Sequence, residues 1–248
     1  MVHVSFTSSE ASRAQVLAFL AEKKRQNPEF RVIDVGGAAT SWTAEVADCV
    51  VDINAEDDSR SISADICTVA GWEKVIAAAQ SMGGFSYAIC THTLEDLYNP
   101  FLSLEYLPRL ASAGIITMPS IEAELSNIEN LNWKGNVHHR WIFHTDGDTM
   151  HIIPKLGVLE SLVDYVQYRK DSSEIRYDWS GSIPHTVFMN NYLGPNVRTV
   201  TATYRDYLRK SLSERGVKFK VNDLNSKLAR NGYKLFKKLT VLRRMAVD

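Results

Sequence analysis

Residues 31–54, RVIDVGGAATSWTAEVADCVVDIN, constrain this chain more than any other stretch. An apolar run from Arg31 to Val35 enters the pair Gly36-Gly37 and continues through small residues into a short helical segment. A second apolar run, Cys49 to Ile53, then carries an acid, Asp52, near its end. Strand, tight turn, helix and strand with a terminal acid predict the first βαβ unit of a nucleotide-binding α/β fold. A backbone that approaches a ligand closely needs residues without bulk, and a carboxylate can accept both hydroxyls of a ribose.

Two cofactor classes fit such a unit. A dinucleotide fingerprint reads G-x-G-x-x-G, and here Gly36 is followed by Gly37, Ala38, Ala39, Thr40 and Ser41, so the pattern fails at Ala38 and Ser41. Asp34, just before the glycines, discriminates further: a carboxylate repels a pyrophosphate but suits the cationic amino-acid end of S-adenosyl-L-methionine (SAM). The run from Asp34 resembles the first motif of the class I SAM-dependent methyltransferases, acid-x-Gly-x-Gly-x-Gly, with Ala38 and Thr40 standing where glycine is usual. That resemblance implies that Asp34, Gly36, Gly37 and Ala38 hold the methionine end, and that Asp52 with Ile53 holds the ribose. An acid ending the next short strand, Asp65 in SADIC, would contact the adenine amino group while Ile66 frames the ring.

Ser8 or Ser9 caps a helix expected over 8–26, and further elements are expected as a strand over 62–66, a helix over 71–81 and a strand over 85–91. The segment THTLEDLYNPFLSLEYLPRLASAGIITMPS follows the fourth strand of the unit. It is similar to a methyltransferase (type 11-like) region reading His-x-Leu-Glu-His, then a helix, then a glycine turn into a strand ending Pro-Ser. Leu94, Glu95 and Pro100 match, and Asp96 replaces a histidine. Ligands of open α/β sheets gather at the carboxyl ends of strands. Thr91 is therefore assigned to the cofactor and His92 is a candidate general base, its ordinary pKa near 6.5 suiting proton removal from an attacking hydroxyl. Hydrogen bonding to the loop is the competing use of His92. Glu95 is a candidate acceptor ligand, although with Asp96 it also suits the opening turn of a helix.

In NVHHRWIFHTDGDTMHIIPK, Asp146-Gly147 between apolar runs predicts a type I′ hairpin that sets Phe143 opposite Met150 and Trp141 opposite Ile152. His139 then shares the inward face with Trp141 and Phe143, as a second candidate base or as a core histidine. His138 and Arg140 are assigned to the acceptor, and His144 and His151 fall on the outer face. No metal is assigned. The three cysteines, Cys49, Cys67 and Cys90, lack metal-ligand spacing and read as small core residues.

Residues 1–155 read as the cofactor-binding core and 156–248 as an acceptor-pocket and C-terminal extension, compact with the core. In that extension an extended stretch over 174–190 carries Tyr177, Trp179 and His185, with Asn190, Asn191 and Tyr192 as polar candidates. Residues 205–248 hold a net charge of +9 against −10 for the remainder, with Leu228, Leu235, Leu239 and Leu242 at helical spacing. A basic amphipathic helix can lie on an anionic membrane surface, bind a polyanion, or pack on an acidic surface of its own chain or a partner. Aromatic residues interleaved with basic ones, the mark of nucleic-acid binding, are lacking. With 45% hydrophobic residues, no apolar leader and no run near the roughly 18 residues of a membrane span, a cytoplasmic protein is expected, with the inner face of a membrane as its one alternative site.

The expectation is a Rossmann-like sheet with flanking helices, an added hairpin and a basic helical C-terminal extension. The resemblance implies a SAM-dependent methyltransferase and is nearly silent on substrate. The expected acceptor is an oxygen of a small molecule or glycan, with a histidine base. The glycan preference rests on the aromatic C-terminal region, the basic helix and the lack of nucleic-acid signals. The alternatives are a non-catalytic protein on the same fold, a nucleic-acid acceptor, and a nicotinamide enzyme disfavoured by Asp34.

Overall fold

The structure, a computed structural model, describes residues 1–38, 40–129, 132–188 and 197–222. The chain divides into two compact units, Met1–Leu156 with Tyr168–Asn190, and Gly157–Gln167 with Asn191–Asp248. In chain order the described elements are β1 (Val2–Thr7), α1 (Ser9–Gln26), β2 (Val32–Val35), β3 (Cys49–Asp52), β4 (Ser61–Ser63), α2 (Val69–Ser81), β5 (Phe85–Thr91), α3 (Phe101–Leu110), β6 (Ala111–Pro119), α4 (Ile121–Leu125), β7 (Trp141–Asp146), β8 (Thr149–Pro154), α5 (Leu159–Leu162), β9 (Val163–Val166), β10 (Glu174–Ser180), β11 (His185–Val187), α6 (Val197–Glu214) and β12 (Phe219–Val221).

A seven-stranded sheet in the order β1-β10-β6-β5-β2-β3-β4 organises the first unit. All strands run parallel except β10, which is antiparallel to both neighbours. Its central strands are apolar at successive positions because both faces are covered. One face (Val32, Tyr87, Ile89, Ile115) meets Val16 and Leu20 of α1. The other (Ile33, Val35, Val51, Ala88, Cys90, Ile116) meets Trp72 and Val75 of α2 and Leu104 and Leu107 of α3. Side-chain caps start the helices where the sequence signals them: the Ser8 hydroxyl accepts from Ala11 N–H, and that of Thr68 from Gly71 N–H. All three cysteines are buried and free.

Several expectations about elements change, among them the strand over 62–66, which spans Ser61–Ser63 and leaves Asp65 in the loop beyond it. After β2, residues 40–46 form turns rather than a helix, because Ser41 and Thr43 turn their hydroxyls inward toward Asp34 instead of exposing them. Glu95 and Asp96 lie in a turn before α3, not in its first turn. The hairpin turn centres on Gly147-Asp148, with Gly147 at φ 54, so Phe143 faces Ile152 and Thr145 faces Met150. This two-residue shift keeps every side chain on its expected face. His144, however, is 4% exposed, so the outer face is covered too, and β11 lies parallel beside β8.

The stretch over 174–180 does not line an acceptor pocket: β10 sits inside the main sheet, with Tyr177 and Trp179 buried in the core. Nor does the extended stretch run unbroken to 190. The second unit holds α5, the pair β9 and β12, and α6. The basic leucine-spaced segment around 228–244, and Asn190, Asn191 and Tyr192, lie outside the described residues. Among the described residues no helix is long and apolar enough to cross a membrane.

Candidate functional site

The carboxyl ends of β2, β3, β4 and β5 converge on a cleft of about 330 Å³ in the first unit. Gly36, Asp52, Ile53, Asp65 and Ile66, all expected at a cofactor, line it together with Thr93, Asp96, Leu97, Tyr98 and Arg140.

The floor beside β2 is built by close approach. Gly36 has φ 86, its N–H donates to the carbonyl of Val51 at 2.8 Å, and a β-carbon there would lie 2.3 Å from Thr93 Cγ2. A β-carbon on Gly37 would lie 1.9 Å from Asp34 Oδ2, so the second glycine is required by the carboxylate beneath it. Asp34 itself is 2% exposed and does not line the cleft. Burial pushes its pKa up to about 6, against hydrogen bonds from Thr43 and, secondarily, Ser41. One oxygen accepts from the Thr43 hydroxyl, and the other, Oδ1, is buried without a hydrogen-bond partner.

Asp52 and Asp65 each fold back to cap their own turn. One oxygen of Asp52 accepts from Asn54 N–H at 2.6 Å, and one of Asp65 from Cys67 N–H at 2.9 Å. The turn after Asp65 is fixed by Trp72, whose Nε1–H donates to the carbonyl of Ile66 at 2.8 Å. Tyr98 also hydrogen-bonds the Asp65 carboxylate. Gly37, Ala38 and Thr91 do not line the cleft.

His92 stands apart from the role expected of it. It ends β5 at φ 48, the one described non-glycine residue with positive φ, and does not line the cleft. Its Nε2–H donates to Glu174 at 2.6 Å and its Nδ1–H to Glu95 at 3.2 Å. Burial works to lower its pKa, but the two carboxylates outweigh burial and push it up to about 10. At neutral pH His92 is an imidazolium with both nitrogens engaged, and it has no lone pair to offer as a base. Glu95 is likewise withdrawn from the acceptor: it is fully buried against His92, and its carbonyl accepts from Arg140 N–H at 2.7 Å.

His139 is the histidine with a usable nitrogen. It is buried, its Nδ1 meets the carboxylate of Glu124, and Lys155 holds the other oxygen of Glu124 at 2.7 Å. The Asn136 amide nitrogen lies 3.2 Å from Nε2. In the neutral form with Nδ1–H donating to Glu124, the lone pair is on Nε2, where the Asn136 amide meets it. Burial lowers its proton affinity, yet the hydrogen bond and charge of Glu124 raise it overall. That lone pair points toward Asp96, whose Oδ1 is 3.8 Å from His139 Nε2 and 3.6 Å from His138 Nε2. Asp96 and Arg140 line the cleft; His138 and His139 do not, but stand beside Asp96.

Sequence patterns give no warning of Tyr98, Leu97 or Glu124. Tyr98 sits in an irregular loop, and Glu124 is brought to His139 across 15 residues by the turn at Gly135, which has φ 54 and no room for a side chain against Glu124.

No family model matches this sequence, and no curated protein matches it. Similar solved structures include the N-terminal domain of EvdMO1 in the presence of SAH and D-fucose, at a TM-score of 0.34 and 10% identity over 66% of this chain and 82% of that one. Another is the MycE methyltransferase from the mycinamycin biosynthetic pathway in complex with Mg, SAH and mycinamycin VI, at 0.35 and 11% over 77% and 54%.

Proposed function

We propose that the chain is a SAM-dependent methyltransferase that methylates a hydroxyl of a small-molecule acceptor, a sugar included. The observation that carries this reading is the cleft at the strand ends. Its floor admits no side chain at Gly36, and it presents two carboxylates, Asp52 at the end of β3 and Asp65 two residues beyond β4. The Asp52 carboxylate suits a ribose diol and that of Asp65, beside Tyr98, an exocyclic amine, with Ile53 and Ile66 as apolar faces for a base between them. SAM, when bound, supplies an activated methyl group for in-line displacement by the acceptor oxygen.

The residues at the rim hold and activate the acceptor. Arg140 and His138 offer donors to its polar groups, and the Nε2 lone pair of His139, oriented by Glu124, takes the hydroxyl proton as oxygen attacks. Holding two reactants in line at roughly 3–3.5 Å lowers a barrier by several kcal/mol before any proton moves. The glycan preference loses the support of Tyr177 and Trp179, which are core residues. A role at the inner face of a membrane rests on the basic C-terminal charge alone.

Thermal unfolding with SAH, SAM or NAD tests the reading. SAH at a hundred-fold excess over its dissociation constant should stabilise the protein by about 2.7 kcal/mol, and Asp52→Ala should abolish the shift. Stabilisation by NAD alone, or by no nucleotide, would refute the cofactor assignment.

A further inference from the structure

We propose that Asp96, His138 and His139 form a binding site for a first-row divalent cation of the zinc or manganese kind. The ligand atoms of these three residues all lie within 4.8 Å of one another. Ligands sharing a tetrahedral cation at about 2.0–2.2 Å are about 3.4 Å apart. The separations of 3.6 and 3.8 Å from Asp96 Oδ1 to the two imidazoles therefore need to close by only a few tenths of an ångström. Asp96 and His138 have exposed side chains and can make that adjustment, while buried His139 is the fixed point.

The surroundings of His139 are those of a metal-bound imidazole. A ligating histidine presents one nitrogen to the ion and donates the other N–H to a carboxylate or carbonyl that fixes its tautomer. Glu124 fills that second position on His139, and is itself fixed by Lys155, which also donates to the carbonyl of Asn136 at 2.7 Å. The amide of Asn136 now occupies the Nε2 lone pair and must turn away when a cation binds. Two imidazoles and one carboxylate favour zinc, manganese, iron(II) or cobalt over magnesium or calcium, which take oxygen ligands. Three protein ligands also leave coordination positions open toward the cleft that Asp96 lines.

For its use, this inference rests on the methyltransferase reading. A cation at this place is a Lewis acid toward the acceptor hydroxyl, whose proton then leaves to water. In the loaded protein His139 is a ligand, so its role as base belongs to the ion-free protein.

The test is a calorimetric titration of tag-free, chelator-treated full chain with ZnCl₂, together with the visible spectrum of the CoCl₂-loaded protein. One equivalent should bind, with affinity reduced at least tenfold in both His138→Ala and Asp96→Asn, two exposed positions whose replacement leaves the core intact. Glu124→Gln should lower affinity roughly 10- to 100-fold while keeping the stoichiometry. The cobalt protein should show visible bands that disappear in His138→Ala. Absence of stoichiometric binding, or binding unchanged in both exposed variants, would overturn the proposal. Neither measurement uses SAM or an acceptor, and the SAH shift uses no metal, so the two readings fail separately.

Discussion

A carboxylate removed from water favours its neutral form, and Asp34 is the clearest instance in this chain. Its folded pKa of about 6 stands above the ordinary value of 3.8, so the folded state binds the proton more tightly than the unfolded one. The corresponding stability is fully present below pH 3.8 and is lost as pH rises through about 6. Asp34→Asn, which keeps the shape without the charge, should match the wild type near pH 4 and exceed it by about 3 kcal/mol above pH 6 in chemical denaturation. An unchanged difference across that range would mean that Asp34 is not titrating. His92 has the opposite relation to charge. Its pKa is raised to about 10, so its stabilisation is complete below pH 6.5 and fades as pH rises toward 10. Replacing it with glutamine strands Glu95 and Glu174, both at most 2% exposed, and should cost about 3 kcal/mol at pH 7 but much less at pH 10. If instead His92 were the base, His92→Gln would lose turnover without losing stability.

Among elements, β6 is closely confined on both sides. Gly114 lies between Ala88 of β5 and Trp179 of β10, and a β-carbon there would meet the Ala88 carbonyl at 2.3 Å and the Trp179 ring at 2.7 Å. The backbone contact cannot move aside without breaking the ladder. Gly114→Ala should therefore lower the denaturation midpoint by the equivalent of at least about 2 kcal/mol. Gly157→Ala, with open space around the added carbon, serves as the control and should stay within about 0.5 kcal/mol. The sequence reads Gly114 as a turn into this strand, but it lies within β6, paired with Ala88 and Trp179, and nothing in the sequence names Trp179 as its partner. The alternation in EIRYDWS marks a strand without saying which strand it joins.

For the whole molecule, the readable part coincides with local chemistry. The run from Val32 to Asp52 declares its strands by apolar continuity, its turn by two glycines and its ligand end by a terminal acid, because these features act over a few residues. Gly36 and Asp52 of that run line the cleft, and Ile53, Asp65 and Ile66, which the resemblance to methyltransferases added, line it with them. Arg140, assigned from the hairpin region, joins them there.

What the sequence determined by itself was therefore the α/β class, the β2–β3 unit and the cleft-forming positions on it. Each follows from polarity and backbone freedom within about twenty residues. Only the tertiary structure decided that β10 enters the main sheet antiparallel and that β1 pairs with it across more than 170 residues. It also decided which histidine keeps a lone pair. His92 and His139 are the same side chain in sequence, and both meet carboxylates. Glu174, 82 residues from His92, joins Glu95 to turn the first into a charged clamp. Glu124 and the Asn136 amide engage the two nitrogens of the second, beside Asp96. Proton affinity depends on burial and on charges a few ångströms away, and those neighbours are assembled by the fold rather than by spacing along the chain.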